Sequence, residues 1–487
     1  MKKKSTNKQI AKKRNKKPRR LIFKLCLLVL LVLMAQIIYL NLLPVPFLIL
    51  VSIILLDVLL IGYVMLFKSK FLGNLILVML LCLTSMGNVY LYKTSSLFDS
   101  ITSSDDSMAV FNVMALKDNK KKVKTVGILT VGNLELQGEA LDQLSDSYKT
   151  KDYDSLKACG QALYDGKVDS ILVGDSSVSL LTQDFPEFEN ETRVVEQYKV
   201  KTKVEDLSKN VNITREPFTL LISGRDAEQP GASSSRSDVN ILMTINPSTH
   251  QILMLSIPRD FYVAQPCQGN QEDKLTHTGM FGVNATVETV ENMLDLPINY
   301  YVQVNFESLV NVVDALGGIT VNVPKAFTTN DDLHLKKGDN ELNGAETLDF
   351  ARERYAFVDG DRERGRNQMR VLEAIIDKAM SPSIIRHYAD LMDSLSDSFK
   401  TNMSQREITS FIRSQLLRMK NWDMKQIQVN GSGSTLLSPA LGMEAYVMVP
   451  NEDTVENAAI LVQKVLDGEL VTDQDVEGQL ELCQQTF

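Results

Sequence analysis

The sequence predicts a membrane-held α/β protein: three apolar spans, a small α/β domain, then a larger layered α/β domain. Three observations carry this. Apolar residues crowd into the first hundred positions of a 487-residue chain. From Met108 onward, short β-rich runs alternate with amphipathic helical periods, the pattern of layered α/β domains. Charge is divided along the same line as hydropathy, and at this length two or three domains can each bury a core.

Residues 1–20 hold eleven Lys/Arg and no acid, and residues 21–93 add a net +3. Against a whole-chain charge of −8, the part after Lys93 therefore carries −22. Such an acidic region repels nucleic acid, so no direct DNA binding is expected. The five cysteines and four histidines are scattered without the spacing of a disulfide framework, a zinc site or a Ser-His-Asp arrangement.

The three spans are read at about Leu21–Leu40, Phe47–Phe67 and Phe71–Tyr92, each near the ~20 residues that a bilayer core requires. The first is too long for a signal peptide and has no small-residue cleavage site after it. Its basic flank predicts a cytoplasmic tail over 1–20, and an odd number of spans then places the bulk of this multi-pass chain outside the cell membrane. Asp57, inside the second span, is a candidate for function or for a contact with a neighbouring helix or water.

A polar linker is expected over 94–107. Residues 108–209 read as a small accessory α/β domain: strands at Val110–Leu116, Thr125–Val131 and Ser170–Gly174, with helices at Ala140–Tyr148 and Leu156–Tyr164. It contains no chemical constellation.

The main domain is expected over 216–382. Phe218–Ser223 reads as a buried strand leading through Gly224 to Asp226. Asp238–Ile245 and His250–Ile257 flank an Asn-Pro-Ser-Thr turn signal. In a hairpin centred on Ser248, position i faces about 497 − i, so Asp238 lies across from Arg259. Helices are expected at Gly282–Leu294 and Ser308–Leu316, and strands at Tyr300–Asn305 and Ile319–Val323. Residues 383–487 read as an extension of helices and one strand near Ile427–Val429, packed on the extracellular region.

The chemistry concentrates at Ala351–Gln368, ARERYAFVDGDRERGRNQ, which holds Arg352, Arg354, Arg362, Arg364 and Arg366, with Arg370 just beyond. Arginine matches phosphate or carboxylate oxygens two at a time. The bland alternative is a solvated face in which Glu353, Asp359, Asp361 and Glu363 pair with these arginines. Asn343 and Glu346 predict a capped helix start, and for Arg352 and Arg354 to serve one pocket that helix must end near them. A second helix, from about Gly365 to Ala379, puts Arg362, Arg366 and Arg370 at i, i+4 spacing. Its stripe of Leu372, Ile375, Ile376 and Ala379 reads as core packing, with a lipid-chain groove as the alternative.

Taken together, SGRD (223–226), RSD (236–238), SIPRD (256–260), DKLTHTG (273–279) and the arginine stretch resemble the LytR-CpsA-Psr family over about 217–382, in its streptococcal capsule-locus type. The resemblance implies an α/β/α catalytic domain with the lipid chain in an apolar tunnel. It implies a phosphotransferase that moves a glycan, here capsular polysaccharide, from a polyprenyl pyrophosphate carrier to a peptidoglycan hydroxyl through a phosphodiester. The implied partners are the lipid-linked glycan, the peptidoglycan acceptor, the membrane and other capsule-assembly membrane proteins. Asp226 and Asp238 match the carboxylates that hold Mg²⁺, and with Arg259 they form the expected catalytic group. Arg259, Arg352, Arg354, Arg364 and Gln368 match the pyrophosphate-binding set, with Arg366 and Arg362 as substitutes. Arg225 before Asp226, and Ala227 and Glu228 after it, depart from the family pattern. The alternatives are a polyprenyl pyrophosphate hydrolase and a regulatory membrane protein controlling capsule synthesis or transcription.

Overall fold

The computed structural model describes residues 17–101, 108–119, 122–129, 140–144, 147–201, 211–225, 236–357, 360–380, 399–418, 420–441 and 443–484. The chain forms two compact units.

One unit contains three helices, Lys17–Leu40, Val45–Lys68 and Lys70–Ile101, each long and apolar enough to cross a membrane. Leucines at 30, 33, 59, 66, 77 and 80 form their shared core. Gly62 and Gly87 let Leu77 and Leu33 of neighbouring helices approach closely, the usual role of small residues between membrane helices. Asp57 is exposed on its helix. The expected linker is shorter than predicted, because the third helix continues through Thr94 to Ile101. Thr94 Oγ1 donates back to the Tyr90 carbonyl at 2.8 Å, and Leu97 and Phe98 are buried, so this segment has helical partners despite its polar composition. The helix Gln405–Arg418 belongs to the same unit, where Arg413 Nη1 donates to Asn41 Oδ1 at 2.6 Å.

The other unit contains both α/β regions. The accessory part is a five-stranded sheet in the order Lys149–Tyr153, Thr125–Leu129, Ser170–Gly174, Met108–Leu116, Thr192–Lys201. Leu156–Tyr164 is a helix whose N-cap Ser155 accepts from Ala158 N. Apolar residues fill both faces of this sheet, Cys159, Leu163 and Ile171 on one and Val113, Val126 and Leu172 on the other.

The main sheet has six strands in the order Phe399–Thr401, Tyr300–Asn305, Phe218–Arg225, Ser237–Asn246, Gln251–Ser256, Asp423–Gln428. Leu221, Leu242, Leu253 and Leu255 pack under Val287 and Val290 of the helix Val283–Leu294 and Leu461 and Val462 of the helix Glu452–Leu466. The long helix Gly360–Met380 packs on Gln251–Ser256, Ser237–Asn246 and Asp423–Gln428. At Gly365 the helix comes close to the first of these strands, where a Cβ would sit 2.5 Å from Ser256 Oγ and the serine would have to turn away. The expected boundary at 382 falls inside this sheet. Two of its six strands come from beyond residue 398, pairing with strands 99 and 172 residues earlier in the chain. Such pairing leaves no local signal, because the segments meet only after the fold closes.

Candidate active site

The site begins with the hairpin. Ile241 pairs with Ser256 and Asn246 with Gln251, the register expected from the turn. Carried three positions past the Ile241–Ser256 pair, it brings Arg259 to Asp238, Nη1 to Oδ1 at 3.0 Å. Thr276 Oγ1 donates to the same oxygen at 3.0 Å. Burial alone pushes the Asp238 carboxyl up, but Arg259, Arg236 and Thr276 together hold it below the usual range. Arg259 is held on its other side by Asp260, 3.6 Å from Nε, and Lys274 Nζ is 3.2 Å from that same carboxylate.

The next wall is the helix Gly344–Arg352. Asn343 and Glu346 form a reciprocal capping box at its start. It ends at Arg352, and Glu353 is extended, so Arg352 and Arg354 escape the opposed directions of an i, i+2 helical pair and both line one cleft. The Arg352 guanidinium lies 5.1 Å from the Phe306 ring centre, and Arg354 Nη2 donates to Tyr355 Oη at 2.6 Å. Glu353 is only 2% exposed. Its carboxylate accepts from the backbone N–H groups of Asn330, Tyr355 and Ala356, fixing the turn that carries Arg354.

The third wall is the helix Gly360–Met380, which starts five residues earlier than expected and so includes every arginine from 362 to 370. Arg364 and Gln368, at i, i+4 spacing, line the cleft. Arg364 is 12% exposed and its Nη2 lies 2.6 Å from Asp361 Oδ1. Burial pulls its pKa down; Asp361 opposes this and Arg259 adds to it. Arg366 departs from the expected pyrophosphate set, lying about 200° around the helix from Arg364. It lines neither cleft described here, and its Nη1 pairs with Glu363 Oε2 at 2.7 Å. Arg370 pairs with the other Glu363 oxygen at 2.6 Å, and Arg362 is buried, donating to the Cys483 carbonyl at 3.2 Å. The bland reading thus holds for Arg366 and Arg370, whereas Arg364 is both paired and turned to the cleft.

These walls enclose a cleft of about 510 Å³ that gathers Asp238, Arg259, Arg352, Arg354, Arg364 and Gln368. Phe306, Val310, Ala345 and Leu348 give it an apolar side. Asp349 lines it too, pushed up by burial, lowered by a bond from Thr329 and raised again by Asp331 and Glu353. Sequence reasoning missed this apolar side and Asp349; the available signal was Ala345 and Leu348 at i, i+3 just before the arginines. A second cleft of about 450 Å³ shares Arg259, Arg354 and Tyr355 with the first. Asp226 lies outside the described residues.

Asp273 and His277 of DKLTHTG have a structural role, while Thr276 and Lys274 reach the site. Asp273 accepts from Ser438 Oγ at 2.7 Å and from Ala440 N at 2.9 Å, and His277 Nδ1 lies 3.0 Å from it. Burial raises the Asp273 carboxyl, but these partners hold it below the usual range. The aspartate ties the hairpin formed by Gly431–Ser438 and Met443–Pro450 to the rest of the domain.

Among the described residues no group of three or more His, Cys, Asp or Glu can hold a metal ion. Asp238 fits the sparser demand of Mg²⁺, a hard oxygen donor beside a place for phosphate, because both hydrogen bonds described for it converge on Oδ1.

Converging arginines beside an apolar wall offer paired donors of the kind that match phosphate or carboxylate oxygens, next to apolar surface, on a layered α/β domain. Residues 187–459 match the LytR_cpsA_psr family. That is more than half of the chain, and the protein belongs to this family. Among curated relatives, a polyisoprenyl-teichoic acid–peptidoglycan teichoic acid transferase, TagU, of Bacillus licheniformis is 40% identical over 205 residues, 42% of this chain and 65% of that protein. The protein of the same name from Enterococcus faecalis is 36% identical over 226 residues, 46% of this chain and 73% of that protein. The one from Bacillus subtilis is 41% identical over 205 residues, 42% and 65% of the respective chains. The chain thus spans just under two thirds of the first of these relatives. The crystal structure of B. subtilis TagU aligns at 33% identity with a TM-score of 0.42, covering 53% of this chain and 100% of that one.

Proposed function

We propose that this protein is a membrane-anchored phosphotransferase, working outside the cell membrane, that moves a glycan from a polyprenyl pyrophosphate carrier to peptidoglycan. The observation that carries the reading is the cleft in which Arg259, Arg352, Arg354 and Arg364 meet one apolar wall. A pyrophosphate diester carries about two negative charges, and its transfer requires neutralisation and in-line positioning more than covalent catalysis. The arginines bind and orient the pyrophosphate and stabilise charge moving to the leaving phosphate. The acceptor hydroxyl oxygen bonds to the glycan-side phosphorus. The bond from that phosphorus to the bridging oxygen breaks, polyprenyl phosphate departs, and the hydroxyl proton passes to a carboxylate, either Asp238 of the cleft or Asp226, which the family resemblance assigns to the same group. Asp238 also holds Arg259 in place. Asp226 and Asp238 are the residues that would hold Mg²⁺, which when bound supplies further neutralisation of phosphate charge.

For the cargo, capsular polysaccharide is favoured by the three-helix anchor and by the accessory sheet ahead of the main domain, features of the streptococcal capsule-locus branch that the sequence resembles. The relatives named above are named for teichoic acid. The test is the full chain in nanodiscs with a lipid-pyrophosphate glycan and soluble peptidoglycan. Acceptor-dependent release of polyprenyl phosphate with a covalent glycan–peptidoglycan product is expected. Release without that product would make the protein a hydrolase, and a panel of capsular and teichoic donors assigns the cargo.

A further inference from the structure

The second cleft is built differently from the first. Both are lined by Arg259, Arg354 and Tyr355, but where the first turns apolar, the second is walled by Phe357 and Tyr446 and edged by Asp260, Lys274 and Asp361. Tyr355 is 70% exposed and Tyr446 54%. Exposed rings interleaved with charged groups do not suit a lipid chain, which requires an unbroken apolar wall, and the charges here are largely taken up in pairs, Asp260 with Arg259 and Lys274 and Asp361 with Arg364, rather than massed for a polyanion. They suit a polyhydroxyl ligand, whose C–H faces lie on the rings while its hydroxyls bond to the charged groups.

The strand that carries Tyr446 is also held in place. This strand, Met443–Pro450, is tied to the site by Met448 N donating to the Asp260 carbonyl at 2.7 Å, and the far end of the hairpin is tied by Ser438 to Asp273 at 2.7 Å. Gly433 on the paired strand leaves room for the ring, since a Cβ there would meet Tyr446 Cε2 at 3.0 Å.

We propose that this second cleft is a sugar-binding subsite that holds the acceptor glycan against the arginine-bound pyrophosphate. The inference rests on the transferase reading. In-line displacement brings the acceptor oxygen to the phosphorus from the side away from the leaving lipid phosphate. A lipid chain placed along the apolar wall of the first cleft leaves the second cleft, across the shared arginines, for the acceptor. A carrier's own sugars offer the same chemistry, and the test separates the two sources.

The experiment uses the full chain in nanodiscs and a soluble, uncrosslinked peptidoglycan glycan as probe, with calorimetric Kd and separate KM values for glycan and lipid donor. Tyr446→Ala is expected to weaken glycan binding and raise the glycan KM by about tenfold, the scale of one lost ring contact, with the donor KM within about twofold. Tyr446→Phe keeps the ring and is expected to restore binding. Tyr446→Thr, which suits a strand and also lacks the ring, is expected to behave like Tyr446→Ala if that variant melts early. Glycan binding indifferent to Tyr446, in an enzyme that still transfers, overturns the inference and leaves the transferase reading intact. A raised donor KM with an unchanged glycan KM overturns it by assigning the cleft to the carrier's sugars. Failure of wild type to turn over any lipid pyrophosphate instead strikes the transferase reading, and Tyr446-dependent glycan binding would still support the subsite.

Discussion

Arg259 donates through Nη1 to Asp238 Oδ1 at 3.0 Å across the open end of a hairpin, and Thr276 donates to the same carboxylate oxygen. Asp238→Asn removes the charge that Arg259 faces while keeping the side-chain volume. It is expected to cut transfer by at least ~10²-fold and to cost about 1–3 kcal/mol in urea unfolding, because Arg259 is left partly buried with only Asp260. Wild-type turnover in Asp238→Asn would remove this carboxylate from the chemistry, and full activity after chelator treatment would remove Mg²⁺.

Acid is expected to destabilise the unit that holds both α/β regions through the same kind of group. Asp238 and Asp273 have folded pKa values held below those of the unfolded chain. Their contribution is therefore complete above about pH 4 and is lost as pH falls through the lower folded values. Thermal melts between pH 6 and pH 2 are expected to show a falling limb below about pH 4. Asp273→Asn is expected to flatten that limb while lowering the melting temperature at pH 7; an unchanged limb would show that Asp273 does not contribute.

Arg364→Lys keeps the charge and loses the planar fork. If Arg364 binds the pyrophosphate, transfer falls by about 10²-fold or more. Because the guanidinium is mostly buried against Asp361, stability is also expected to fall, by about 1–2 kcal/mol. Normal transfer by a folded Arg364→Lys protein would reduce Arg364 to a partner of Asp361.

Gly360 opens the long helix directly against the Arg354 carbonyl, and an added Cβ has no room there without a backbone shift. Gly360→Ala is expected to displace Arg354, raising the donor KM by about tenfold and costing about 1–3 kcal/mol by overpacking. Unchanged donor KM and melting temperature would show that the turn relaxes freely.

Ala345 sits exposed on the apolar side of the first cleft. A tryptophan there fills space that a lipid chain bound in this cleft would need. Ala345→Trp is expected to raise KM by about tenfold for a full-length polyprenyl donor and little for a short-chain analogue. Equal effects on both donors would place the lipid chain elsewhere.

What the sequence determined by itself was everything governed by short-range rules. The apolar runs set the three spans, the Asn-Pro-Ser-Thr turn set the register that joins Asp238 to Arg259, and Asn343 with Glu346 set the helix that delivers Arg352. Each depends on neighbours within about twenty residues, so composition and spacing suffice. Only the tertiary structure decided which arginines serve the cleft: Arg364 and Arg366 are alike in type and two positions apart, yet one faces Arg259 and the other pairs with Glu363. It also decided that residues beyond 398 complete the main sheet, and that Tyr446 comes to the arginines from a distant hairpin. These depend on contacts between segments about 90 to 170 residues apart, which are settled by packing and loop closure and leave no trace in local pattern.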